Sequence, residues 1–220
     1  MPTEKKEIKE ANNKTSLIYK AGIVLVAMSA LLLFFTYYPI AKEEIKYRLA
    51  SRKKNVSVMI KEEARKDNIE ANNIIYPADE DFGIVIPKIA ANSKVIADVD
   101  WQNSREYQRA LTKGVAHAEG TALPGENGNV FIFAHSGVDF YEAARYNAVF
   151  YLTDKLEKGD EIYIFYKKKK FVYKVTEKKI ARPEEISYLE GDASRKTLTL
   201  MTCWPPGTTL KRMVVVAEQE

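Results

Sequence analysis

Residues 199–216 leave few ways to fold. Thr199-Leu200-Met201-Thr202-Cys203 is one run of strand type, and Lys211-Arg212-Met213-Val214-Val215-Val216 is another. Between them Pro205, Pro206 and Gly207 cannot continue a strand, because proline lacks the N–H that a ladder needs. If the two runs pair as a hairpin, Cys203 and Arg212 are held near each other on one rim. Cys203 is the chain's only cysteine, which excludes an internal disulfide and a cysteine-based metal site. A thiol beside a guanidinium is an electropositive nucleophile site. On the count alone, the cysteine is equally a small buried apolar residue.

The rest of the chain supplies partners for that hairpin. Its 220 residues suit one domain of about 150 residues plus an appendage. From residue 82 the pattern is one of short β-type runs: Phe82 to Ile89 with a break at Pro87, Val95 to Val99, Val130 to His135, Glu161 to Tyr166 and Phe171 to Ile180. Turn signals separate them, as in Leu123-Pro124-Gly125-Glu126-Asn127-Gly128. Ser104 is placed to cap a short helix over 105–113, with Tyr107, Ala110 and Leu111 on one side. Pro183 to Ile186 is placed to start another. Seven or eight short strands of this kind predict a mostly β fold, a closed or nearly closed β-barrel with a few short helices. Lys167 to Lys170 mark a hairpin tip. A solvated turn is the simpler reading there, and an anion- or membrane-binding patch the sharper one.

The N-terminal third is different. Residues 1–20 are polar and read as a tail. Residues 21–38 carry no charge and, with their neighbours, reach the roughly 20 residues that a helix needs to cross a bilayer. Tyr19, Tyr37 and Tyr38 sit where interfacial aromatics belong. A buried core helix competes with this reading, but nothing else in the chain is as apolar. We therefore expect a tail over 1–20, an uncleaved transmembrane anchor over 21–40, a juxtamembrane helix and linker over 41–81, and the β domain over 82–220. Lysines on both sides of the span leave its orientation open by charge alone. The net charge of +4 is mild and dispersed, and argues neither for nor against nucleic acid.

The chain has two histidines. His135 ends an apolar strand next to Ser136-Gly137, where a solvent-accessible base would sit. His117 lies among small residues with no evident strand to fix it, and ranks second as a groove residue. A structural role is the simpler reading for either. Their spacing from the cysteine matches no zinc site, and no glycine-rich phosphate loop is present.

Taken together, residues 82–217 resemble the sortases, membrane-anchored cysteine transpeptidases of bacteria. The family's Thr-Leu-x-Thr-Cys motif is present as Thr199 to Cys203, and its strand arginine as Arg212. The Gly-Thr-x-Leu-Pro-Gly-Glu-x-Gly-Asn element is Gly120 to Asn129, and Leu156 to Asp160 matches the turn before the next strand. Family members often read Gly-His-Arg at the histidine, whereas this chain reads Ala134-His135-Ser136. The resemblance implies a sortase-like barrel outside the cytoplasmic membrane, with the N-terminus inside. It implies Cys203 as nucleophile, His135 as general acid and base, and Arg212 holding the oxyanion or the substrate backbone. Thr199, Met201, Thr202 and His117 would line the peptide groove.

The implied substrate is a Leu-Pro-x-Thr-Gly-like sorting signal of a surface protein, cut between Thr and Gly. The implied acceptor is an amine, from a cell-wall cross-bridge or a pilin lysine. The expected partners are these peptides, the amine and membrane lipid, without nucleic acid, metal or cofactor. At ordinary pKa values a thiol–imidazole pair favours its neutral form by about 100 to 1, so slow turnover is expected. A cysteine endopeptidase on the same scaffold and a catalytically silent, membrane-anchored barrel that binds surface-protein peptides are the competing readings. The sorting motif, the subclass, calcium dependence and a lid role for residues 74–82 are not legible in the residues.

Overall fold

The computed structural model describes residues 19–35, 57–60, 74–135 and 149–220, with single positions 38, 41, 44, 45 and 48. The chain forms two compact units, Met1–Ala41 and Lys42–Glu220. In the first, residues 19–35 are helical, and the apolar side chains stand exposed, Leu25 at 65% and Leu32 at 66%. Among the described residues no helix is long and apolar enough to cross a membrane. The expected anchor over 21–40 continues through residues 36, 37, 39 and 40, which lie outside the described ones. So does most of the expected juxtamembrane helix and linker over 41–81, and all of 136–148.

The second unit contains a closed barrel. Two short strands precede it, β1 (Ser57–Val58) and β2 (Ile74–Ile75), paired in parallel. The barrel strands are β3 (Phe82–Ile86), β4 (Ala91–Val99), β5 (Val115–Ala118), β6 (Gly128–Phe133), β7 (Glu161–Tyr166), β8 (Lys169–Ala181), β9 (Lys196–Trp204) and β10 (Lys211–Gln219). Around the barrel they run β10-β8-β7-β3-β4-β5-β6-β9 and close on β10. The β4–β5 and β6–β9 ladders are parallel, and the others antiparallel. Among the described residues two α-helices accompany the sheet, α1 (Ser104–Leu111) in the β4–β5 crossover and α2 (Ser187–Glu190) before β9.

Several boundaries differ from expectation for identifiable reasons. β3 stops at Ile86 because Pro87 opens a 3-10 turn, Pro87–Ile89. The cap of α1 is Asn103 and not Ser104; its side chain accepts the Glu106 N–H, so the helix starts one residue earlier. The β7–β8 turn is tighter than the four-lysine run. Lys167 and Lys168 alone form it, at φ 49° and 61°, the left-handed pair that matches hairpin twist. Their N–H groups donate to the carbonyls of Asp81 (2.9 Å) and Glu80 (3.0 Å), which tether the tip to the chain before β3.

Residues 57–60 also depart from the expected juxtamembrane helix. Val58 and Ile60 are buried at a spacing of two, and with Val85 and Phe165 they form a small second core against Ile75 and Tyr163. That patch explains the strand it covers. Every residue of β3 is buried, because Ile84 and Ile86 join the main core while Val85 faces the patch. Residues 74–82 dock on the barrel edge. The Asn92 side chain holds Tyr76 O and Ala78 N (both 2.7 Å), and Phe82 packs on Tyr166 and His117. None of them borders the cleft described next.

Candidate active site

Register decides which side chains meet. Cys203 in β9 is paired directly with Arg212 in β10, and Phe133 in β6 with Met201 in β9. The Ala134 N–H continues that ladder to Met201 O at 3.1 Å. Two residues beyond Phe133 and Met201 stand His135 and Cys203, so three neighbouring strand ends present imidazole, thiol and guanidinium together. Because side chains alternate, one sheet face carries Phe131, Phe133, Met201 and Cys203 with Arg212. These residues, apart from the strand interiors behind them, border a cleft of about 340 Å³ with His135 and Cys203 at its mouth. Tyr107, Gln108 and Leu111 of α1 form one wall, and Ile186, Tyr188 and Leu189 around α2 the other.

The arginine is held in place by main chain. Its Nη1 donates to Thr209 O (3.2 Å) and Lys211 O (3.1 Å) and lies 3.6 Å from Cys203 Sγ. The cysteine is half-buried, with its sulfur toward the cleft residues. His135 is met from α1, where Gln108 Oε1 lies 3.2 Å from Nε2. This geometry sets a thiol, an imidazole and a fixed guanidinium along one apolar cleft, an arrangement that could carry nucleophilic attack and proton transfer.

The other sequence candidates divide. Met201 and Thr202 border the cleft. The Thr202 hydroxyl donates to Ala134 O at 2.9 Å, tying the Cys203 strand to the residue before His135. Thr199 does not border it. Its hydroxyl donates to Asn129 Oδ1 at 2.9 Å in a buried network beneath α2. His117 is also kept away. It pairs with Ile132, one residue out of phase with Phe131 and Phe133, and therefore shares the opposite face with Leu200 and Val215. Fully buried, it takes the Asp98 N–H at Nδ1 (3.4 Å), while Nε2 meets Ala122 O and Thr121 Oγ1 at 3.0 Å. Burial pushes its pKa down, against the pull of Ala122 O and the carboxylates of Asp98 and Glu126. The structure makes it a framework histidine.

Two residues were overlooked by the sequence reading. Gln108 borders the apolar stripe of α1, and only the β4–α1–β5 crossover brings it to a histidine 27 positions away. Asn129 sits inside the motif quoted above. It accepts from Thr197 and Thr199 and donates to the carbonyls of Tyr188 (2.9 Å) and Leu189 (3.2 Å), pinning α2 over β6. Gly191 completes that junction at φ 61°, where a Cβ would lie 2.4 Å from Asn129 Cβ.

A sortase-domain family model matches residues 84–220. Sortase D of Bacillus subtilis (strain 168) is 27% identical over 137 residues, 61% of each chain. This chain thus spans about three fifths of that curated relative's length. A Clostridium perfringens Sortase D5 transpeptidase superposes with TM-score 0.52 at 27% identity, covering 80% of this chain and 94% of its own. Sortase C-1 from Actinomyces oris gives 0.55 at 25% identity, covering 82% and 97%. Match and fold agree with the strand-end geometry, and the chain belongs to the sortase family.

Proposed function

We propose that this chain is a cysteine transpeptidase that cuts a Leu-Pro-x-Thr-Gly-like sorting signal between Thr and Gly and passes the acyl group to an amine. The observation that carries the reading is the meeting of Cys203, His135 and Arg212 at the mouth of one apolar cleft. The Cys203 thiol passes its proton to His135 as the sulfur attacks the Thr carbonyl, and the Arg212 guanidinium takes the charge that develops on the carbonyl oxygen. The C–N bond breaks, His135 gives its proton to the departing Gly amine, and a thioester remains on Cys203. An incoming amine then attacks that thioester, His135 takes its proton and returns it to the departing sulfur, and the thiol is restored as the new amide forms. The apolar walls from α1 and α2 suit the Leu-Pro half of the signal. The acceptor is a cell-wall cross-bridge amine or a pilin lysine.

The same proposal places the barrel outside the cell, on an anchor over 21–40 with the N-terminus in the cytoplasm. The helix over 19–35 supports it, since Leu31, Leu32, Leu33 and Phe34 are exposed side by side and water is a poor solvent for such a surface. Holding enzyme and signal at one membrane surface raises their effective concentration, which offsets a slow chemical step.

The test is a partition experiment. The full chain in detergent is given a fluorogenic signal peptide with increasing amounts of a glycine-based or lysine-based amine. A transpeptidase forms amide product in proportion to amine at the expense of hydrolysis. Release that ignores amine assigns an endopeptidase instead.

A further inference from the structure

Tyr188 closes the cleft at the end away from His135, and its ring is held from several sides. Phe131 stacks on it, with 6.0 Å between ring centroids and 13° between planes, and Lys179 Nζ lies 5.9 Å from the ring centre. The Tyr188 carbonyl accepts from the Asn129 side chain at 2.9 Å, which fixes α2 on β6. The residue is 8% exposed and borders the cleft together with Arg212. Among the described residues its hydroxyl has no hydrogen-bond partner. The donors around it are engaged, the Thr202 hydroxyl with Ala134 O and Arg212 Nη1 with Thr209 O and Lys211 O. Burial pushes the Tyr188 pKa up, the nearby Arg212 guanidinium pulls it down, and Glu185 adds to the rise. The hydroxyl is therefore protonated at neutral pH, a fixed donor in an apolar cleft without an acceptor.

We infer that the Tyr188 hydroxyl donates a hydrogen bond to a main-chain carbonyl of the bound signal, that of Pro or of x, and so sets which bond lies at Cys203. This rests on the transpeptidase reading for the identity of the peptide. The placement follows from the fold. The reacting Thr carbonyl lies at Cys203 and Arg212. Phe131, on which Tyr188 stacks, stands four positions before His135 on the extended chain, about 13 Å along it. The phenol reaches from there into the field of Arg212, so its hydroxyl stands level with the residues just before Thr. The chemistry of the signal asks for such a donor. Proline brings a carbonyl and no N–H, so this part of the peptide cannot exchange hydrogen bonds with a strand edge in both directions. In an apolar cleft its carbonyls also lose water. A side-chain hydroxyl satisfies an acceptor there and needs no donor in return.

The experiment separates binding from turnover. Full-length Cys203→Ala protein in detergent, with and without Tyr188→Phe, is titrated with a labelled Leu-Pro-x-Thr-Gly peptide. Three further peptides carry a thioamide, whose sulfur is the poorer acceptor, in place of the Leu, Pro or x carbonyl. Tyr188→Phe keeps the ring and its stack on Phe131, so the urea midpoint is unchanged, but it binds the unmodified peptide about five- to tenfold more weakly. The thioamide at Pro or at x weakens binding by a similar factor when the hydroxyl is present, and by less than about twofold in Tyr188→Phe. Equal affinity of the two proteins for the unmodified peptide overturns the inference. So do thioamide losses at Pro and x that are the same with and without the hydroxyl, which would leave Tyr188 a structural role alone. Acylation of wild-type Cys203 is read separately. If binding depends on the hydroxyl as expected but the wild type is not acylated, the transpeptidase reading fails while the Tyr188 contact stands. If no peptide binds, both fail.

Discussion

Arg212 stands directly across the β9–β10 ladder from Cys203, with Nη1 3.6 Å from the sulfur and two main-chain carbonyls holding the guanidinium there. A planar fork satisfies those acceptors and still reaches the cleft, and an ammonium on a flexible stem cannot do both. Arg212→Ala is expected to slow acylation by a signal peptide about 10²- to 10³-fold, the cost of losing one oxyanion donor. Arg212→Lys restores little of it. Single-turnover kinetics measure the loss, and iodoacetamide labelling of Cys203 checks that the thiol is still accessible.

Gln108 offers its amide oxygen to His135 from α1. Losing a hydrogen bond to a group that carries charge during turnover costs about tenfold in rate. Gln108→Leu therefore lowers kcat about tenfold with KM within about twofold, and Gln108→Glu, which keeps an acceptor, retains more of the rate. Steady-state kinetics on the two variants separate this role from simple packing, which would move both equally.

Asn129 joins four groups in a largely buried junction, two threonine hydroxyls and two carbonyls before β9. Asn129→Ala is expected to cost roughly 2–3 kcal/mol by leaving them unpaired. Gly191→Ala strains the same junction from the other side. Both variants lower the urea midpoint, and both loosen the α2 wall of the cleft, so peptide affinity falls with stability.

His117 should make the domain acid-sensitive. Burial holds its folded pKa below the usual value, so the unfolded chain binds the proton more readily. Stability from this group is complete above the unfolded pKa of about 6.5 and falls as the pH drops toward the folded value. Denaturation of the wild type and His117→Gln between pH 7.5 and pH 5 checks this. The wild type loses more stability over that interval. An equal loss in the variant assigns the sensitivity to other groups.

The strand pattern was legible because each run ends at residues that block a ladder. Pro87 and the Pro205-Pro206-Gly207 loop mark ends that the structure keeps. The barrel itself was legible from the number and brevity of the runs, but its closure through the parallel β6–β9 ladder needs contacts about 70 positions apart. The Cys203–Arg212 proximity could be read from one hairpin. His117 was misplaced because its face depends on register against β6, which no local pattern carries. Residues 57–60, expected within the juxtamembrane helix and linker, differ for a similar reason, since the partners that bury Val58 and Ile60 are the distant Val85 and Phe165. Gln108 and Asn129 act through long-range partners, so neither the α1 pattern nor the motif that ends at Asn129 carries their roles.

The central claim is that Cys203 forms a thioester with the acyl half of a sorting signal. Intact-mass spectrometry of the full chain after brief exposure to a Leu-Pro-x-Thr-Gly peptide, without amine, reads it directly. The account predicts a mass increase equal to the acyl fragment, located on Cys203, removed by hydroxylamine and absent from Cys203→Ala. A protein that cleaves the peptide with no adduct, or carries the adduct in the Cys203→Ala variant, contradicts it.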